Sequence, residues 1–85
     1  MKVKAVYDYG DSVIDRYTIV TDELTEGYPG DPKRYMALGV SRDTTPGGFS
    51  QWDAVNAEEE ALSGQAITFD DLPQNVQEHV HERLG

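Results

Sequence analysis

The segment RYMALGVS, residues 34–41, carries the clearest structural signal in this chain. Every second residue within it is a large aliphatic one, at Met36, Leu38 and Val40. Side chains two positions apart point to the same face of a β-strand, so this alternation predicts a strand with one buried face. A β-sheet is therefore expected to be part of the fold.

Two further β-rich runs precede this strand, in KVKAVYDYGDSVIDRYTIVT, residues 2–21. Gly10 and Asp11 supply turn chemistry between the runs, which predicts a hairpin. Direct pairing across these two residues does not collect the apolar side chains on one face, so the register stays open and a longer turn or a bulge is an alternative. Residues 22–33 hold two prolines, two glycines and four acids, which favours an exposed loop.

The last twenty residues, AITFDDLPQNVQEHVHERLG, predict a short strand followed by a helix from about residue 72 to residue 84. Asp71 and Gln74 have the spacing of a capping box, with Pro73 in the first turn. An apolar stripe repeats every four residues, at Leu72, Val76, Val80 and Leu84. These patterns predict an α+β fold: a small antiparallel sheet of three or four strands with a C-terminal helix packed on one face.

Residues 42–66 allow two interpretations. Ser50 could cap a helix through QWDAVNAEEEAL, with Asp53 as its capping-box partner and Gly64 at its end. An irregular loop is the alternative, because the glutamates at 58–60 would lie toward the negative end of that helix's dipole. We predict a single domain over residues 1–85, in which residues 42–66 form a flexible or partly helical loop.

Charge is unevenly distributed along the 85 residues, whose formal net charge is −9. Residues 1–42 hold seven acidic and six basic residues, whereas residues 43–85 hold nine acidic residues and one basic residue, Arg83. Such an acidic field repels nucleic acids and anionic lipids and attracts basic proteins, although it also serves solubility alone. The charge predicts a protein partner with a basic surface, and no direct binding to nucleic acid or to membranes.

The absence of cysteine suits a reducing compartment, and no stretch reaches the roughly 18 apolar residues that span a bilayer. The N-terminus has no uninterrupted apolar stretch of the kind that marks a signal peptide. A cytoplasmic location is therefore expected.

No catalytic residue, cofactor site or metal site is predicted. His79 and His81 are the only histidines. On a helix, residues two positions apart point about 200° apart, so these rings could not bind one metal ion. Asp70 and Asp71 could be read as a paired general acid and base, but helix capping accounts for them.

The only tryptophan, Trp52, follows a Pro-Gly-Gly turn in TTPGGFSQWDAV, residues 44–55. A buried Trp52 would cover the sheet, whereas an exposed one would anchor a partner inside a rim of acids. On the second interpretation, the predicted contact residues are Phe49, Trp52, Asp53, Glu58, Glu59 and Glu60.

Three short motifs, DRYTIV at 15–20, GGFSQW at 47–52 and ITFDDLP at 67–73, together resemble a family of short, uncharacterised bacterial and phage proteins. The resemblance implies a setting on phages or other mobile elements, and it brings no activity. This chain departs from the family pattern in its N-terminal strand, residues 2–9, and at Trp52 and the glutamates 58–60.

From the charge and this setting we expect a non-enzymatic acidic interaction protein, such as a phage or mobile-element inhibitor or a DNA mimic. The alternatives are a small ligand-binding protein or enzyme that uses residues 47–52 and a histidine, and an accessory domain without a strong partner.

Overall fold

A computed structural model describes residues 2–10, 16–25, 34–41 and 50–84 of the chain. These residues form five β-strands, two α-helices and a 3-10 helix at Phe69–Asp71. In chain order the strands and α-helices are β1 (Val3–Asp8), β2 (Tyr17–Leu24), β3 (Tyr35–Val40), β4 (Ser50–Val55), α1 (Ala57–Ser63), β5 (Gln65–Ile67) and α2 (Gln74–Leu84).

The strands form one sheet in the order β4-β3-β2-β1-β5, with every neighbouring pair antiparallel. The α+β class is therefore confirmed, but the predicted count of three or four strands is wrong. The strand that no sequence pattern indicated is β4, in which Val55 is the one buried residue. An edge strand with so little buried surface shows only a weak alternation of apolar and polar residues.

The register of the β1–β2 hairpin, which the apolar pattern left open, is regular next to the turn and contains a bulge at its far end, while residues 11–15 of the turn lie outside the described residues. Asp8 pairs with Tyr17, and the register shifts by one residue between Val3 and Ala5. The Arg16 side chain holds the ends of the two strands together, donating hydrogen bonds of 2.9 Å and 3.0 Å to the two carboxylate oxygens of Asp8. At its far end β2 continues to Leu24, so residues 22–24 extend the strand instead of starting a loop.

The main core lies on one side of the sheet, which we call the α2 face. A row of residues, one from each strand, crosses this face: Ile67, Val6, Ile19, Leu38 and Trp52. Val76 and Val80 of α2 are buried against the cluster to which this row belongs. The helix therefore lies across one face of the sheet, as the four-residue repeat predicts, with Glu78 and Glu82 exposed.

The beginning of α2 differs from the predicted one. Asp71 closes the preceding 3-10 helix, where its carboxylate accepts hydrogen bonds from the N–H and hydroxyl of Thr68 at 2.9 Å and 3.0 Å. The carbonyl of Pro73 accepts hydrogen bonds from the N–H groups of Val76 and Gln77, so this proline precedes the first turn of α2. The Asp71 carboxylate, which the sequence pattern assigns to the cap of α2, therefore binds Thr68 instead.

The opposite side of the sheet, the α1 face, has a smaller core of Tyr7, Val20, Ala37 and Val55. The helix α1 lies on this face because it connects β4 and β5, which are at opposite edges of the sheet. Glu60 of α1 lies over this face beside Ala37 and Val55. The sheet is therefore covered by α2 on one side and by α1 on the other.

Residues 50–63 form a strand and then a helix, where the sequence allowed one helix or a loop. Asn56 caps α1: its side-chain oxygen accepts a hydrogen bond from the N–H of Glu59, and its carbonyl accepts one from Glu60. The helix ends at Ser63, just before Gly64. Because α1 starts at Ala57, the glutamates lie in its first turn, where the dipole favours negative charge. The remainder of the predicted loop, residues 42–49, lies outside the described residues.

Candidate functional site

β4 carries different chemistry on its two faces, because successive side chains of a strand point to opposite sides of the sheet. Ser50 and Trp52 belong to the α2 face, whereas Gln51, Asp53 and Val55 belong to the α1 face. The strand order places β4 at one edge of the sheet. Residues 50–55, the described part of the segment TTPGGFSQWDAV, therefore contribute to two separate surfaces of the protein.

On the α2 face, Trp52 is half-buried and packs against the main core. It lies opposite Leu38, which is fully buried, at the end of the row of residues that crosses the sheet. This packing accords with the interpretation in which Trp52 covers the sheet, and it leaves a part of the side chain exposed.

The same corner contains a close contact between β4 and α2. The Nε2 atom of His79 lies 2.8 Å from the hydroxyl oxygen of Ser50, and both residues are half-buried. Each belongs to a regular element: Ser50 pairs with Val40, and His79 lies between the buried Val76 and Val80. A serine hydroxyl within hydrogen-bond distance of an imidazole is the geometry of a nucleophile and its general base.

Sequence reasoning offered an enzyme using residues 47–52 and a histidine as an alternative, but it did not pair Ser50 with His79. The two residues are 29 positions apart in the chain, and neither belongs to a local motif. Ser50 was a candidate helix cap on sequence grounds, and His79 was considered as a metal ligand. They meet only because α2 crosses the sheet as far as its β4 edge.

On the α1 face, a small cavity of about 110 Å³ opens between the sheet and α1. Its lining comes from three strands and the helix. Three lining residues have no polar side-chain atoms: Ala37 and Gly39 of β3 and Val55 of β4. The polar lining residues are Thr18, Gln51, Asp53 and Glu60. Gly39 contributes only backbone atoms to the lining, and it pairs with Thr18 and Gln51 in a row across the sheet.

The two carboxyl groups of this cavity have different surroundings. Asp53 is exposed, and its Oδ1 atom accepts a hydrogen bond of 2.8 Å from the N–H of Ala54. Glu60 is half-buried, and this burial raises the pKa of its carboxyl above the ordinary value. The Glu60 carboxylate is therefore less well hydrated than the Asp53 carboxylate.

The predicted contact residues are divided between these surfaces. Asp53 and Glu60 meet at the cavity, and Glu59 is exposed beside them on α1. Trp52 lies on the other face of the sheet. Glu58 falls in the first turn of α1, and Phe49 lies outside the described residues. The structure therefore places Asp53 and Glu60 together on the α1 face and Trp52 on the opposite face of the sheet.

The two histidines point to different neighbours, as residues two apart on a helix must. His79 contacts Ser50, whereas the ring of His81 packs edge-on against Phe69 with 5.2 Å between the ring centres. Within residues 2–10, 16–25, 34–41 and 50–84, no three histidine, cysteine, aspartate or glutamate side chains form a group that could hold a metal ion.

Comparison of the chain with protein-family models, with curated proteins and with solved structures gives no match. In the part of the chain that the structure describes, no helix is long and apolar enough to cross a membrane.

Proposed function

We propose that this protein is a non-enzymatic interaction protein whose acidic surface binds a basic surface of a partner protein. An inhibitor or a DNA mimic from a phage or mobile element would be a protein of this kind. The proposal rests on one observation: most of the described carboxylates in the second half of the chain face solvent. Six of them are exposed on β4, α1, the 3-10 helix and α2: Asp53, Glu59, Asp70, Asp71, Glu78 and Glu82.

The distribution of basic groups strengthens this argument. The ion pair found in the described residues joins Asp8 and Arg16, both in the first half of the chain. Among the described acids of the second half, none forms an ion pair within the chain, so their field extends into solvent. Surface charge of one sign speeds the encounter with a partner of the opposite sign, and the effect weakens as salt shortens the screening length.

The test compares the protein with a variant in which exposed acids are neutralised: Glu59→Gln, Asp70→Asn, Glu78→Gln and Glu82→Gln. Asp71 is left in place because it closes the 3-10 helix, and Asp53 because it binds the backbone of β4. Both proteins are immobilised, lysate of the native host is passed over them, and captured proteins are identified by mass spectrometry. The association rate of each purified candidate is then measured against salt.

We expect a basic protein whose association rate with the natural chain falls steeply as salt is added. Removal of the four charges should lower the association rate at low salt to a similar extent. Melting curves of the variant must match those of the natural chain. Capture of a protein whose association rate depends on neither salt nor the four charges would contradict the proposal.

A second candidate function is favoured by the contact between Ser50 and His79, which joins the segment 47–52 to a histidine. In this candidate, Ser50 attacks an activated ester or phosphonate while His79 accepts its proton. A fluorophosphonate probe should then attach to Ser50, displacing fluoride, and mass spectrometry of the digested protein would locate the adduct. The exposed Ser63 serves as the internal control.

Labelling of Ser50 that disappears in His79→Gln, with Ser63 unlabelled throughout, would support this candidate. Absence of an adduct on Ser50, or equal labelling with and without His79, would assign the contact to packing of α2 on β4.

A further inference from the structure

We propose that the cavity on the α1 face binds the side-chain ammonium group of a lysine supplied by the partner protein. This inference rests on the proposed function, because the lysine belongs to the basic surface of that partner. It adds a specific recognition point to what would otherwise be attraction between charged surfaces.

The shape of the cavity suits the end of an aliphatic amine. Its volume of about 110 Å³ accommodates a few groups the size of water. Ala37 and Val55 form the apolar wall of the cavity, and because they are only 1% and 8% exposed, a ligand contacts them with its end alone. The proposed ligand group is therefore the terminal methylene and ammonium of the lysine, whose longer stem stays outside the cavity.

The chemistry of the lining selects a cationic donor. Among the lining residues, Thr18, Asp53 and Glu60 carry side-chain oxygen atoms that can accept hydrogen bonds. An ammonium group has three N–H donors and no acceptor, so it matches such a set. A phosphate or carboxylate ligand would meet the like charges of Asp53 and Glu60, which disfavours anionic ligands.

The surroundings of Glu60 give independent support. Its carboxyl is half-buried under α1, its pKa is raised by that burial, and within the described residues it forms no ion pair. A charge held partly out of water gains more from an approaching cation than an exposed charge does, because the local dielectric screens the attraction less. The neighbouring Glu59 is exposed, which makes it a matched control on the same helix.

The experiment titrates n-butylammonium chloride into the isotopically labelled protein and follows the backbone amides by NMR. Sodium chloride at equal ionic strength controls for screening, and n-butyltrimethylammonium chloride, which has no N–H donor, controls for charge without hydrogen bonds. We expect saturable shifts at Gly39, Gln51, Asp53 and Glu60 with a millimolar dissociation constant. Affinity should fall at least tenfold in Glu60→Gln and less than twofold in Glu59→Gln.

Several results would overturn the proposal. One is a set of shifts that sodium chloride reproduces, and another is equal loss of affinity in the two glutamine variants. Tight, saturable shifts of the same amides by calcium chloride, with no saturation by butylammonium, would make the cavity a metal site instead.

The two proposals fail in different ways. If butylammonium binds at the cavity but the partner proteins captured show no dependence on charge, the proposed function fails and the amine site stands. If a basic partner binds with the expected salt dependence but Glu60→Gln changes its affinity no more than Glu59→Gln does, the cavity is not the site of lysine recognition.

Discussion

Replacement of Val80 by alanine should lower the free energy of unfolding by about 2 kcal/mol. Val80 is 1% exposed and packs in the main core, so the substitution removes two buried methyl groups at ~0.8 kcal/mol each and leaves a small void. A domain of 85 residues has a total stability of roughly 4–13 kcal/mol, so the variant should remain folded. Its melting temperature should fall by about 8–16 °C, measured by circular dichroism and confirmed by urea unfolding.

Glu82→Gln is the matched control, because Glu82 is exposed on the same helix. It should change stability by less than about 0.5 kcal/mol. Val80→Asp would bury an unpaired charge and should leave the protein unfolded at room temperature. Equal melting shifts for Val80→Ala and Glu82→Gln would refute the packing of α2 on the sheet through this stripe.

Three further outcomes are expected. Arg16 first, and then the N–H of Gly10, hold the pKa of Asp8 below its ordinary value, so their contact stabilises the fold above the unfolded pKa of that carboxyl. Asp8→Asn should therefore lower the melting temperature at pH 7, and the gap should close as acidification protonates Asp8 in the folded natural protein. For Glu60, whose pKa is raised by burial, the sign is opposite: Glu60→Gln should raise the melting temperature at pH 7 and have no effect below the unfolded pKa of the carboxyl. Finally, a double-mutant cycle with Ser50→Ala and His79→Gln, analysed by urea unfolding, should give a coupling of about 0.5–1.5 kcal/mol, whereas additive effects would show that their hydrogen bond contributes nothing.

The elements that the sequence predicts well are those whose signal is local and strong. β3 has alternating residues and occurs where expected, and α2 has a four-residue apolar repeat and ends where expected, although it begins at Gln74 instead of about residue 72. The apolar residues of β1 and β2 resist assignment to one face for a physical reason. Val6 and Ile19 serve the α2 face, while Tyr7 and Val20 serve the α1 face, so the sheet is buried on both sides.

The segment after residue 50 was not predicted as a strand because its local pattern allows a helix. Trp52, Val55 and Leu62 have a spacing that a helix could use, and the apolar and polar residues of SQWDAV alternate only weakly. Pairing with β3 decides the matter: Leu38 lies opposite Trp52, and Tyr35 lies opposite Val55. Asn56, which no sequence argument singled out, then starts the helix six residues later than the candidate cap Ser50.

The candidate site depends on these non-local contacts throughout. Neither the cavity nor the pair formed by Ser50 and His79 has a sequence signature, since each gathers residues from β4 and from a helix that follows it. The net charge, by contrast, can be read from composition alone, and it predicts the sign of a partner without locating the contact.

The position of β4 explains why both surfaces occur on one strand. An edge strand has one row of backbone groups without a neighbouring strand, and short edges are commonly protected by side chains. Here the Asp53 carboxylate accepts a hydrogen bond from the N–H of Ala54, and Arg34 donates one to the carbonyl of Ala54 at 3.5 Å. Asp53 therefore helps to close the edge while it also lines the cavity. For this reason Asp53→Asn is a poor probe of binding. Glu60, whose side chain forms no hydrogen bond with the β4 backbone in the described structure, is the residue on which the amine site should be tested.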